Sequence, residues 1–145
     1  MLVNTRHRTI EWGDCDPAGI VFNPRFFEWF DAATAALFVR ALGITKAEML
    51  RRYHCAGIPL VDTRATFLAP CSFGEEVRID STVTEFRRSS FAVNHRLFRA
   101  DGALAVEALE TRVWVGHAPD RPGGIKAQPI PAEIVARFAA DQERP

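Results

Sequence analysis

No apolar run in this chain approaches the roughly 20 residues that a membrane span needs, and the opening MLVNTRHRTIEW lacks the apolar core of a secretion signal. Net charge is missing as well: 18 Lys and Arg stand against 18 Asp and Glu. Nothing global therefore draws the chain to nucleic acid or an anionic membrane, and any basic site has to be local. Cysteine is scarce and odd in number. Cys15, Cys55 and Cys71 have no metal-ligand spacing, so they read as reduced thiols of a cytoplasmic protein. The histidines, His7, His54, His95 and His117, are scattered without ligand spacing and read as structural or exposed, so no metal is expected. No serine lies in a G-x-S-x-G elbow, which leaves an α/β-hydrolase route unsupported. There is no internal repeat and no low-complexity tract.

What is present is a soluble globular composition, 48% hydrophobic and 25% charged. A length of 145 residues allows one compact domain, expected over 1–145, and is too short for two ordinary ones. Residues 3–11 suit a first strand, and GDCDPAG then reads as a loop, because Asp, Pro and Gly each favour turn geometry. Asn23 followed by Pro24 reads as an N-cap and first helical position, opening a helix that runs to about Leu42 with Gly43 as C-cap. Phe26, Phe27, Phe30, Ala33, Leu37 and Ala41 share one face of that helix, with Asp31 at its margin. A short helix over 45–53 is capped by Thr45, with Glu48 three residues on.

After that the hydrophobic period changes from 3.6 to 2. Four strands are expected at 58–68, 76–86, 90–100 and 103–116, with a turn at ADG, 100–102, and a loop at 118–124. PAEIVARFAA then forms a closing helix. A strand, a long helix and an antiparallel meander make an α+β layout, one long amphipathic helix wrapped by a curved sheet. One helix covers only one face of such a sheet and leaves edges open, so a homo-oligomer joined edge to edge is expected.

The stretch GDCDPAGIVFNPRFFEWFDAA puts Asp14 and Asp16 one residue apart in a tight turn, and Asp31 among phenylalanines. Carboxylates near apolar surface are costly unless paired or used. This stretch resembles the signature of the 4-hydroxybenzoyl-CoA thioesterase family of hotdog-fold proteins, a G-D-x-D-x-x-G-I-V loop leading into the central helix. The resemblance continues through IPLVDTRATFLAPCSFGEEVRIDSTV and FRRSSF, so it covers most of residues 8–116.

The resemblance implies a hotdog fold and hydrolysis of an acyl- or aroyl-CoA thioester, with coenzyme A as part of the substrate and no separate cofactor. It implies that Asp16 is the catalytic carboxylate, as nucleophile or as general base; the sequence leaves both open. Chemistry also asks for a dipole to hold the oxyanion. The start of the helix supplies one, with the backbone of Asn23 as donor because Pro24 has no N–H. Asp14 reads as an acid that orders the loop. Asp31 is either a solvated helix residue or, as in the 4-hydroxybenzoyl branch, the residue that meets a ring hydroxyl. Ile58 and Pro59 open the second strand, where the family's pantetheine tunnel passes. Arg87, Arg88, Ser89 and Ser90 occupy the turn at which the family contacts the phosphates of CoA, a task for which Arg forks are suited. An aromatic acyl group leads. A short or medium aliphatic acyl-CoA, and a non-catalytic module that binds acyl-CoA or acyl carrier protein, stay open.

Overall fold

The computed structural model describes residues 1–139. Strand β1 (Val3–Thr9) leads through a short 3₁₀ turn (Trp12–Asp14) into helix α1 (Asn23–Leu42) and then helix α2 (Lys46–Arg52). Strands β2 (Leu60–Phe67), β3 (Glu76–Phe86), β4 (Ser90–Phe98) and β5 (Leu104–Val113) follow. A small hairpin of β6 (Val115–His117) and β7 (Ile125–Ala127) precedes helix α3 (Ala132–Ala139). The main sheet has the order β1-β3-β4-β5-β2, antiparallel throughout.

Helix α1 lies along this sheet because one of its faces is apolar except at the buried Thr34. Phe26, Trp29, Phe30, Ala33, Leu37, Phe38 and Ala41 are buried, whereas Phe27 is only half-buried. The buried stripe therefore swings toward Trp29 and Phe38, because the strand side chains meet the helix from that direction. Full burial of each large side chain contributes about 1.5–3 kcal/mol. Gly43 ends the helix in the left-handed conformation, φ 69°, with its N–H bonded to Val39 O. At the far end of α1, Phe38 packs on Phe91 and Phe138 with ring centroids 5.2 and 4.8 Å apart, which docks α3.

Several boundaries depart from the sequence reading. The cap of α1 is Phe22 without a side-chain bond, and Asn23 is the first helical residue. The reason is local: the Phe22 N–H bonds Asp14 O, and the Arg25 N–H already closes a turn on Phe22 O. Strand β2 begins at Leu60, not Ile58, because Pro59 has no N–H for the ladder and the Ile58 carbonyl accepts from Arg112 instead. The last long strand breaks at buried Trp114, whose N–H bonds Ser89 O and whose carbonyl accepts from Gln128. Those bonds turn the chain out of the sheet into the β6–β7 hairpin, which the strand pattern alone did not separate. The closing helix begins at Ala132; the expected position Ala140 lies outside the described residues.

Strand β2 is an edge, and its side chains are mostly exposed, Val61 by 60% and Leu60 by 44%. The register also defines two ends of the sheet. Thr9, Glu76, Phe98, Leu104 and Phe67 gather at one; Phe86, Ser90, Val113 and Leu60 gather at the other.

Candidate active site

At the first end, the loop after β1 is built around its acids. Asp14 is buried and accepts from the Glu11 N–H at 2.9 Å and from Arg8 Nη2 at 3.1 Å. Arg8 in turn lies over the Trp29 ring, 4.7 Å from its centroid, so Asp14 ties the loop to both β1 and α1. Asp16 is half-buried, and its Oδ1 accepts from the Ala18 N–H at 2.8 Å, an Asx turn. The chain then reverses through Gly19 at φ 77°, and the Asp16 N–H bonds Ile20 O at 2.9 Å. Among the described residues Oδ2 of Asp16 has no hydrogen-bond partner, which leaves it available to an incoming group.

Four residues after Gly19, α1 begins. Its first N–H groups have no partner inside the helix, and its macrodipole points positive toward the loop. Asn23 is exposed at this start and lines a groove of about 270 Å³ with Val21, Phe26, Phe67, Leu68 and Cys71. Burial pushes the Cys71 thiol up to about 11, with Glu75 adding to the effect, so it is a packing group and not a nucleophile.

A second cluster sits midway along α1. Asp31, Ile58 and Pro59 line a cavity of about 370 Å³ together with Lys46 and Arg112. Asp31 is largely exposed, and its Oδ1 accepts from Arg112 Nη2 at 2.7 Å. Arg112 is buried and bonds the Ile58 carbonyl through Nη1 at 3.0 Å and both carboxylate oxygens of Glu110 through Nε and Nη2 at 3.0 Å. Glu110 also receives the Thr34 hydroxyl, and His95 Nε2 lies 3.0 Å from its Oε1. The other ring nitrogen of His95 is 2.7 Å from Ser81 Oγ, and its ring stacks on Phe30. Burial opposes the Glu110 charge, but hydrogen bonds from His95, Arg112 and Thr34 outweigh it and hold the carboxyl down at about 2.

The third group, Arg87 to Ser90, is the turn between β3 and β4. Arg87 is exposed and paired with Glu85 at 3.0 Å, and Arg88 is exposed. The Arg87 N–H bonds Ser90 O, Ser89 O accepts from Trp114 and Arg88 O from Ile130, so the turn is fixed by its backbone, with both arginines exposed and Ser89 and Ser90 half-buried.

One chain brings Asp16 and Asn23 together, and Asp31, Ile58 and Pro59 together, but not with Arg87–Ser90. The Asp16 loop and the arginine turn lie at opposite ends of the sheet. Strand β4 spans Ser90–Phe98 between them, a distance of roughly 25 Å at about 3.3 Å per residue. The sequence reading missed the buried chain of Arg112, Glu110, His95, Ser81 and Thr34. A signal for it exists: carried strictly, the period of 2 that places Val77, Ile79 and Val83 inward also places Ser81 inward, and the same holds for His95 between Val93 and Leu97.

Residues 10–138 match the model of the thioesterase-like superfamily. The chain belongs to that family. It is 31% identical over 135 residues to the 4-hydroxybenzoyl-CoA thioesterase of Pseudomonas sp. (strain CBS-3), covering 90% of this chain and 94% of that one. A crystal structure of a 4-hydroxybenzoyl-CoA thioesterase variant in complex with 4-hydroxybenzoyl-CoA superposes with a TM-score of 0.85 at 29% identity, covering 94% and 98% of the two chains. A gentisyl-coenzyme A thioesterase gives 0.77 at 30% identity, covering 91% and 99%. The architecture is the hotdog fold, as the loop signature implied. No helix among the described residues is long and apolar enough to cross a membrane.

Proposed function

We propose that this protein hydrolyses the CoA thioester of a hydroxylated aromatic acid, with Asp16 as the reacting carboxylate and the start of α1 as the oxyanion site. The observation that carries the reading is the placement of Asp16, a half-buried carboxylate with one oxygen fixed by a turn and the other free, just ahead of a helix N-terminus. Asp16 attacks the thioester carbonyl, or takes a proton from a water that does. The carbonyl oxygen gains negative charge as the tetrahedral intermediate forms, and the Asn23 N–H with the α1 dipole stabilises it. The intermediate then expels the thiolate of CoA. In the nucleophilic route an aspartyl anhydride remains, and water completes the hydrolysis.

The aromatic preference is supported by two relatives named for 4-hydroxybenzoyl-CoA and gentisyl-CoA, and by Asp31, which offers a carboxylate to a ring hydroxyl. The working unit is a homo-oligomer. In one chain the Asp16 loop and the Arg87–Ser90 turn are at opposite ends of the sheet. A second copy paired antiparallel along the free edge of β2 sets the Asp16 end of one subunit beside the arginine end of the other. The segment Ile58–Pro59, at the entry to β2, then lines the path of the pantetheine arm, and Arg87, Arg88, Ser89 and Ser90 meet the phosphates. A panel of aroyl- and aliphatic-CoA thioesters tests the proposal: turnover fastest on hydroxylated aroyl-CoA supports it, and faster turnover of aliphatic acyl-CoA overturns the aromatic assignment.

A further inference from the structure

We propose that Arg112 is the positioning residue of the acyl site, fixing the Asp31 carboxylate against the cavity wall formed by Ile58. The inference rests on the reading of Asp31 as the residue that meets the ring hydroxyl, and adds how so exposed a side chain can be selective. In a single chain the Asp31 side chain is 67% exposed, and a carboxylate on a helix surface without a fixed partner samples several rotamers. It discriminates poorly between ligands that do and do not hydrogen-bond to it, because water replaces a lost partner at little cost.

Arg112 removes that freedom. Its guanidinium is planar and presents five N–H donors in a fixed fork. Two of them grip both oxygens of Glu110 at 3.0 Å, one holds the Ile58 carbonyl at 3.0 Å, and one holds Asp31 Oδ1 at 2.7 Å. One residue thus ties helix α1 to the entry of β2, the two walls of the 370 Å³ cavity. With Oδ1 engaged, Oδ2 of Asp31 is the oxygen left for a ligand.

The fork is itself anchored in the core. Arg112 and Glu110 are 5% and 3% exposed, and Glu110 is held by Thr34 and His95, with Ser81 behind the ring. Thr34 and Asp31 are one turn apart on α1, so both ends of the buried chain grip the same stretch of helix. A buried charge stripped of its partner is far more costly than a solvated one, which keeps the arrangement intact when the cavity is empty.

Selectivity is read as the ratio of kcat/KM on 4-hydroxybenzoyl-CoA to that on benzoyl-CoA, for the wild type, Asp31→Asn, Arg112→Lys and the double variant. Lysine keeps the charge but cannot reproduce the fork. Asp31→Asn is expected to lower the ratio about 10-fold or more, the effect of a hydrogen bond to a charged group. Arg112→Lys should lower it by a similar factor, and should add nothing in the Asp31→Asn background. A merely structural role of Arg112 would instead reduce turnover of both substrates equally and leave the ratio unmoved, which overturns the proposal. If Asp31→Asn lowers the ratio and Arg112→Lys does not, the positioning role alone fails. If Asp31→Asn leaves the ratio unchanged, the reading of Asp31 fails and takes the proposal with it.

A readout on the wild type needs no change in the core. The side-chain N–H resonances of Arg112 should shift on adding 4-hydroxybenzoate and not on adding benzoate, and the shift should vanish in Asp31→Asn. Unmoved resonances with saturating 4-hydroxybenzoate overturn the proposal even if Arg112→Lys does not fold.

Discussion

Glu110 is the most consequential group for acid stability. Its carboxyl is held at about 2, against an ordinary value of 4.5, despite burial, by His95, Arg112 and Thr34. The group is depressed in the folded state, so its contribution is complete above pH 4.5 and is lost as pH falls toward 2. At about 1.4 kcal/mol per tenfold, the shift corresponds to roughly 3 kcal/mol. That is a large part of the 5–15 kcal/mol by which a typical domain is folded. Glu110→Gln keeps the shape and removes the charge, leaving Asp31 as the only carboxylate paired with Arg112 among the described residues. At pH 7 the variant should be less stable by about 3–5 kcal/mol, the usual cost of breaking a buried pair. Urea unfolding of both proteins at fixed protein concentration, in steps from pH 7 to pH 2, gives the difference directly. The gap should hold above pH 5 and close by about 3 kcal/mol at the acid end. A gap that stays constant across this range would show that Glu110 does not bear its charge in the way the network requires.

Two further outcomes follow from the separated half-sites. Replacing Arg87 and Arg88 with Ala should raise KM for CoA substrates more than it lowers kcat, because phosphate contacts act alike on ground and transition states; a large loss of kcat at unchanged KM would contradict the phosphate assignment. Light scattering at micromolar concentration should give a dimer or a multiple of it, and Val61→Glu on the exposed edge of β2 should shift it toward monomer with loss of activity. A monodisperse wild-type monomer that is fully active would refute the shared site.

The long helix and four of the strands were legible because their apolar positions repeat at 3.6 and at 2, and tertiary packing then agreed with the local pattern. Strand β3 matches the expected 76–86 at both ends, and Gly43 caps α1 as its position suggested. The acids of the first loop were legible as a turn because Asp, Pro and Gly favour turn geometry, and the Asp16 Asx turn is local chemistry. The partner of Asp31 was not legible. Arg112 is 81 residues away in the chain, and only the register β3-β4-β5 with α1 laid across it brings Arg112, Glu110, His95 and Thr34 to one place. Arg and Glu are ordinarily counted as outward residues of a strand, so the pattern hid them on the inner face. The separation of Asp16 from Arg87 and Arg88 was hidden as well, because element order does not say which strand ends adjoin until the pairing is known.

The central claim is that Asp16 performs the chemistry. Asp16→Asn keeps the side-chain size and an oxygen for the Ala18 N–H, and removes the charge. Turnover of the best aroyl-CoA substrate should fall at least about 100-fold, the lower range for a positioned base. Binding should persist, because the helix start and the arginines are untouched. Repeated turnovers in ¹⁸O-labelled water then test the nucleophilic route in the wild type: label in the Asp16 carboxylate marks an anhydride opened at its aspartyl carbonyl, whereas a general base delivers all the label to the product acid. Near wild-type hydrolysis by Asp16→Asn would contradict the account outright.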